Sequence, residues 1–390
     1  MYRFTKEIPI TDNNSVSKDR DYIFCTIAVL LCVRHVLQIL HFSVIASVLF
    51  KLLYIAVFAF LLYTFFKKFK ARQPLLQVLF FIVCLVGIAW VLVQLLTKYP
   101  EYLQSSATFL LATPLLFSCD SINISRKDSL LFFKLLTVVA LVLAFSIFIP
   151  SNYKNGELLL YTLNGNQSGL LYMSVFTGIF TYRQLERKRL LVTVLLAFLL
   201  YGCWLSASRA SFLVCLFCIL SSVLFKKAPS FRDKFLKIAF LLVILVPLFS
   251  AALVNLVGEN FEILGGSLFT GRDRLWSQVI EGLKKDPFGM NIYTVVTSDN
   301  GRRLGAHNVL LDVAWKYSLP IGMIFFSSII YMSKQIQKKL TSRDSAVVIA
   351  CFISGLIHMT YEASIISGAL DYTLYFLLSI FCGIGLLNKD

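Results

Sequence analysis

The chain has 390 residues, of which 58% are hydrophobic and only 15% charged. Soluble domains average about 45–50% apolar and about 25% charged, so a soluble globular protein is excluded, as are disordered, collagen-like and disulfide-scaffold chains. Lys+Arg number 37 against 21 Asp+Glu, a net charge of +16; in a polytopic membrane protein such an excess belongs to short basic loops on the cytoplasmic side rather than to a nucleic-acid face.

Taken in chain order, residues 1–21 are polar, carry no cleavage-type signal peptide and read as a cytoplasmic segment, so the first apolar run anchors as well as targets. A membrane-crossing helix needs roughly 20 mainly apolar residues, and runs of this kind fall at 22–40, 43–66, 75–96, 104–119, 129–149, 166–182, 190–207, 210–225, 236–256, 308–332, 346–363 and 370–387, about twelve in all. In the first pair, Arg34, His35, His41 and Lys51 interrupt the apolar run, and two spans or one re-entrant pair both fit. Basic clusters recur at every second loop, including Lys67 to Arg72, Arg183 to Arg189, Lys226 to Lys237 and Lys334 to Arg343. These loops are expected on the cytoplasmic side with both termini, and the loops around Lys98, Tyr153 and Ser208 on the outside. The expected fold is all-α, a polytopic membrane bundle divided into N-terminal helices over 22–160 and a membrane domain over 161–390.

The nine cysteines lie almost entirely within apolar runs and read as small buried hydrophobes. Cys215 and Cys218 form a C-x-x-C, but it sits in mid-span without the strand or second cysteine pair that a redox or zinc site needs. None of the four histidines has the spacing of a metal site.

Four segments carry candidate chemistry. Asn164-Gly165-Asn166-Gln167-Ser168-Gly169 opens the sixth span; its amides either bind sugar hydroxyls or cap the helix, and the cap is the favoured reading. Ser206-Ala207-Ser208-Arg209 joins two spans at the outer end, where Arg209 either grips a partner or snorkels to the interface. A long external loop, about 257–307, holds Leu275, Trp276, Val279, Ile280 and Leu283 at helical spacing, predicting a short amphipathic helix at the membrane surface that ends at Asp286-Pro287. Thr270 and Asp273 resemble a capping box, which puts Arg272 and Arg274 in the first turn. Cations there oppose the helix dipole, so either an anion binds at that terminus or the arginines meet lipid headgroups and the loop's own carboxylates. The loop re-enters the membrane at His307-Asn308; His307 is a candidate base near neutral pH or a structural histidine. His358, Tyr361 and Glu362 lie near another outer helix end.

In this order and spacing, the segments resemble the O-antigen ligase and polysaccharide polymerase family of bacterial membrane glycosyltransferases. The likeness covers roughly 160–330: N-x-N-Q at Asn164 to Gln167, S-x-S-R at Ser206 to Arg209, G-R-x-x-x-W at Gly271 to Trp276 with P-F-G at Pro287 to Gly289, and H-N at His307-Asn308, whose span continues into the turn Ser318 to Gly322. Ala207 stands at a place often held by glycine in that family, and Ala306 precedes the histidine. The resemblance implies a glycan donor on a polyprenyl diphosphate at the outer face of the bacterial cytoplasmic membrane, and transfer without metal, nucleotide sugar or other cofactor. It assigns Arg209 and Arg272 to the diphosphate and His307 to the acceptor hydroxyl, with Arg274 as a further substrate contact. The amides of Asn166 and Gln167 are candidate sugar contacts from their residue type, as are Tyr361 and Glu362 outside the likeness, where a carboxylate at a helix end is alternatively a packing or solvation device. Attack opposite the leaving diphosphate implies inversion. A flippase and a chain-length regulator are further candidate partners. Polymerase is the favoured role; a ligase moving the finished glycan to a lipid or protein acceptor, and a flippase or transporter, are the alternatives. The unusual charges gather at one outer surface rather than along a transmembrane path, which favours an enzyme over a transporter.

Overall fold

The computed structural model describes residues 13–69, 103–117, 124–160, 164–186, 190–257, 272–288, 295–296, 303–304, 306–340, 342–362 and 370–387. The expected span at 75–96, Thr270 of the proposed capping box and most of the long loop lie outside these residues. The helices are α1 (Asn13–Ile39), α2 (Ser43–Phe69), α3 (Leu103–Phe117), α4 (Arg126–Ser146), α5 (Gly165–Glu186), α6 (Leu190–Leu205), α7 (Arg209–Lys227), α8 (Phe231–Val257), α9 (Arg272–Lys285), α10 (Val309–Tyr317), α11 (Leu319–Lys339), α12 (Ala346–Tyr361) and α13 (Leu370–Leu387). Among the described residues, six helices are long and apolar enough to cross a membrane, namely Tyr22–Ile39 of α1, Ser43–Leu61 of α2, and α4, α7, α11 and α13; α6 and α12 are apolar but shorter. The described residues are thus those of an all-α protein with six candidate membrane spans among them.

Local sequence explains the helix boundaries. Ser125 caps α4, its Oγ accepting from the Asp128 amide at 3.1 Å, and Asn164 caps α5, its Oδ1 accepting from the Gln167 amide at 2.9 Å. The first two helices are separate, because Phe42 N bonds Leu37 O and His41 N bonds Gln38 O while His41 takes φ 66°, a left-handed C-terminal cap. The run expected as a single span over 308–332 is broken at Ser318 (φ 111°), with Pro320 at the start of α11. Proline has no N–H to continue α10 and its ring excludes the preceding carbonyl. The strands among the described residues form two small hairpins. Strands β1 (Tyr153–Lys154) and β2 (Glu157–Leu158) are joined by Asn155-Gly156, both at positive φ as a two-residue hairpin turn requires. In the long loop, β3 (Val295–Val296) pairs with β4 (Arg303–Leu304).

The main core runs through α1–α8 and α10–α13. Polar contacts gather the basic loops at one end: Arg126 pairs with Glu186 and donates to Leu386 O, Lys226 bonds Gln184, and Arg343 bonds Lys226 O. A helix rises about 1.5 Å per residue, so α7, running from Arg209 to Lys227, separates that end from the candidate-site segments by roughly 27 Å.

Two features sit within the apolar interior. The thiols of Cys215 and Cys218 are buried beside Cys203 and Cys351, with Cys218 and Cys351 sulfurs 3.5 Å apart and none bridged. On α1, Arg34 pairs with Asp371 of α13 and lies 4.2 Å from the Phe50 ring centroid, while His35 lies 3.1 Å from the same carboxylate and 3.2 Å from the Tyr375 hydroxyl. Of the residues that interrupt the first apolar pair, Arg34 and His35 are therefore partnered by the last helix.

Candidate functional site

The site is assembled at the start of α9, at the re-entry of the long loop and just past the end of α12. Arg272 is the first residue of α9, so both it and Arg274 lie in the first turn as expected. The apolar face of α9 does not rest on a membrane surface alone: Leu275, Trp276, Val279 and Leu283 are buried in a second core with Val246, Ala306, Leu311 and Ala314. Gly282 permits the close approach, since a Cβ there would stand 2.3 Å from the Trp315 ring.

Glu362 joins the two candidate residues. Arg272 Nη2 donates to its Oε1 at 2.6 Å, and His307 Nδ1 lies 3.0 Å from its Oε2. The carboxylate is the first residue beyond α12 and is buried, whereas His307 is partly exposed. Burial alone would raise its pKa, but the His307 hydrogen bond and the Arg272 guanidinium outweigh it and bring the carboxyl down to about 2. An ionised carboxylate only accepts hydrogen bonds, so Nδ1 carries the proton and Nε2 of the neutral ring is the basic nitrogen.

His307 is held by both neighbours. Trp276 Nε1 donates to Ala306 O at 2.7 Å, and the Ala306 amide donates to Asp312 Oδ1 at 3.2 Å. Asn308 is fully buried and its side-chain groups are all engaged: Nδ2 donates to Val243 O at 3.0 Å and Thr360 O at 3.1 Å, while Oδ1 caps α10 by accepting from the Leu311 amide at 3.1 Å. Between these anchors His307 adopts φ 51°, a left-handed conformation that non-glycine residues keep only where the surroundings impose it. Trp276 and Asn308 stand out in the sequence as motif positions without a chemical role, and Asp312 only by its closeness to His307.

Arg209 belongs to the junction of α6 and α7. It begins α7 after a turn in which Ala207 takes φ 54°, accounting for a position that suits glycine. The glycines that open α5 allow its start to press against this turn, as a Cβ on Gly165 would lie 2.4 Å from Ser206 O and one on Gly169 2.2 Å from Ser208 Cβ. Arg209 lines a cleft of about 470 Å³ together with Glu157, Trp204, Ser208 and Phe212; Arg272, His307 and Glu362 are not among its described lining. The two places are connected under the start of α7: Ser208 Oγ donates to Ser211 Oγ at 2.8 Å, and Ser211 Oγ lies 3.4 Å from Nε2 of buried His358, one turn before Glu362.

Of the remaining candidates, Tyr361 packs beside Trp276 with ring centroids 6.4 Å apart, and Arg274, Asn166 and Gln167 are exposed. Among the described residues no three His, Cys, Asp or Glu side chains are grouped to hold a metal ion. No family, curated protein or solved structure compared with the chain matches it.

Proposed function

We propose that the chain is a membrane glycosyltransferase that transfers a glycan from a polyprenyl diphosphate to a sugar hydroxyl of a second lipid-linked unit, that is, a polysaccharide polymerase of the bacterial cytoplasmic membrane acting on its outer face. The observation that carries this reading is the Arg272–Glu362–His307 group, in which one carboxylate orients a histidine and an arginine side by side.

In the proposed step, Nε2 of His307 takes the proton of the acceptor hydroxyl as its oxygen forms a bond to the anomeric carbon. The bond from that carbon to the diphosphate oxygen breaks, and the polyprenyl diphosphate leaves with the electron pair. Displacement from the opposite face inverts the anomeric centre. Glu362 sets the histidine tautomer and stabilises the imidazolium that forms. A guanidinium has five N–H donors, more than one carboxylate consumes, so Arg272 can also bind phosphate oxygens, with Arg209 as the second cation on the leaving group. The lipid bilayer presents the donor; a flippase would deliver it and a chain-length regulator would limit the product.

The test is a reaction of purified protein with polyprenyl-diphosphate-linked repeat units serving as donor and acceptor. A product ladder from wild type, absent with a folded His307→Ala protein, is the expected result. Single transfer to a lipid or protein acceptor without a ladder would instead support a ligase, and export of single units that is insensitive to His307 would support a flippase.

A further inference from the structure

The cleft beside Arg209 has a composition that the transfer chemistry leaves unexplained. Trp204, on the last turn of α6, leaves 51% of its surface exposed, and Phe212 of α7 braces it edge-on with centroids 5.3 Å apart. The β1–β2 hairpin also borders the cleft, where the Asn155-Gly156 turn brings Glu157 into its lining. The Glu157 carboxylate sits over the start of α5, where a Cβ on Gly165 would be 3.3 Å from its Oε2. The volume of about 470 Å³ lies within the range of small-molecule sites, roughly 300–1,000 Å³.

A pyranose ring has a flat face of C–H groups and a rim of hydroxyls. An exposed, braced indole offers a platform to the first, and a carboxylate lining the same cleft accepts hydrogen bonds from the second. A tryptophan serving only as a membrane-interface anchor would not need a carboxylate and an arginine lining the same cavity. We propose that this cleft is a saccharide subsite, with Trp204 as stacking platform and Glu157 as hydroxyl acceptor, recognising the donor sugar next to the diphosphate. The inference rests on the proposed reading in one respect, that Arg209 meets the diphosphate; the sugar bonded to that group then falls beside Arg209, where Trp204 and Glu157 stand.

Binding measurements on the full-length protein in nanodiscs test it, using undecaprenyl diphosphate alone and the same lipid carrying glucose, galactose or N-acetylglucosamine. The expected result is that at least one glycosylated form binds wild type about tenfold tighter than the bare lipid, and that Trp204→Ala and Glu157→Gln each erase this preference while bare-lipid affinity stays within about twofold. Trp204→Tyr, which keeps a platform, retains most of the preference and controls for folding. A wild-type protein that binds all four lipids equally, or alanine and glutamine variants that keep the preference, would overturn the subsite while leaving the glycosyltransferase reading standing. Failure of wild type to bind any of the four would overturn that reading itself, and the subsite with it.

Discussion

Asn308 supplies the hydrogen bond that Pro247 cannot. Within α8, Pro247 has no N–H to donate to the carbonyl four residues back, and that carbonyl, Val243 O, instead receives Nδ2 of Asn308 at 3.0 Å. The same amide bonds Thr360 O near the end of α12. One side chain thus ties the loop re-entry to two helices and brings His307 within reach of Glu362.

Removing this side chain is therefore expected to leave two buried carbonyls and one helix terminus unsatisfied. Asn308→Ala should destabilise the protein by about 2–4 kcal/mol, with loss of transfer activity. Pro247→Ala restores a backbone donor for Val243 O, so the double variant should lose less than the sum of the two singles, by about 0.5–2 kcal/mol. Thermal unfolding in detergent of the four proteins forms the cycle, and strict additivity would show that the two residues do not share the carbonyl.

Glu362→Gln keeps the shape but removes the charge that holds Arg272 and His307. The expected transfer rate falls about a hundredfold or more, while His307→Ala remains folded and membrane-inserted. The carboxyl's pKa of about 2 lies below the ordinary 4.5, so its contribution to stability is complete above pH 4.5 and disappears as pH falls towards 2. The gap in melting temperature between wild type and Glu362→Gln should accordingly shrink as the pH falls from about 4.5 towards 2. A gap independent of pH across the acid range would contradict the assigned ion pairs.

Two small residues set the Arg209 turn. Ala207→Gly relieves a left-handed backbone and should stabilise by about 0.5–1 kcal/mol with no loss of activity, whereas Ala207→Val puts a β-branched side chain on that backbone and should destabilise. Gly169→Ala places a methyl against Ser208 and Ser206, forcing α5 away from the turn; a loss of about 1–3 kcal/mol and reduced donor binding are expected. Thermal shift and lipid-diphosphate binding check both.

Asp371→Ala strands Arg34 and His35 in the interior. Breaking a buried pair from one side costs about 3–5 kcal/mol, so expression of folded protein should fall sharply. A double change of Arg34 and Asp371 to leucine and methionine should recover much of it. No recovery, measured as the folded monodisperse fraction in detergent, would mean that the pair does more than join α1 to α13.

Much of this architecture is written locally. Apolar runs specify membrane helices because lipid leaves the backbone no partner but itself, and the 3.6-residue pattern from Leu275 to Leu283 marks α9 because its apolar face must be buried. Asn164 is recognisable as a cap because the amide it serves is three residues away. Arg272 and His307 stand out in the sequence because a cation in a helix's first turn and a polar residue at a loop re-entry are locally anomalous. Their connection was not visible, since Glu362 lies 90 and 55 residues from them, and a carboxylate at a helix end looks the same whether it meets water or two cations. The pairing of Arg34 with Asp371 across 337 residues and the filling of Pro247's missing bond by Asn308 are likewise products of which helix faces turn towards one another. Hydrophobicity and capping act over a few residues and are read in order along the chain; a buried polar group finds its partner through three-dimensional packing, which no local pattern encodes.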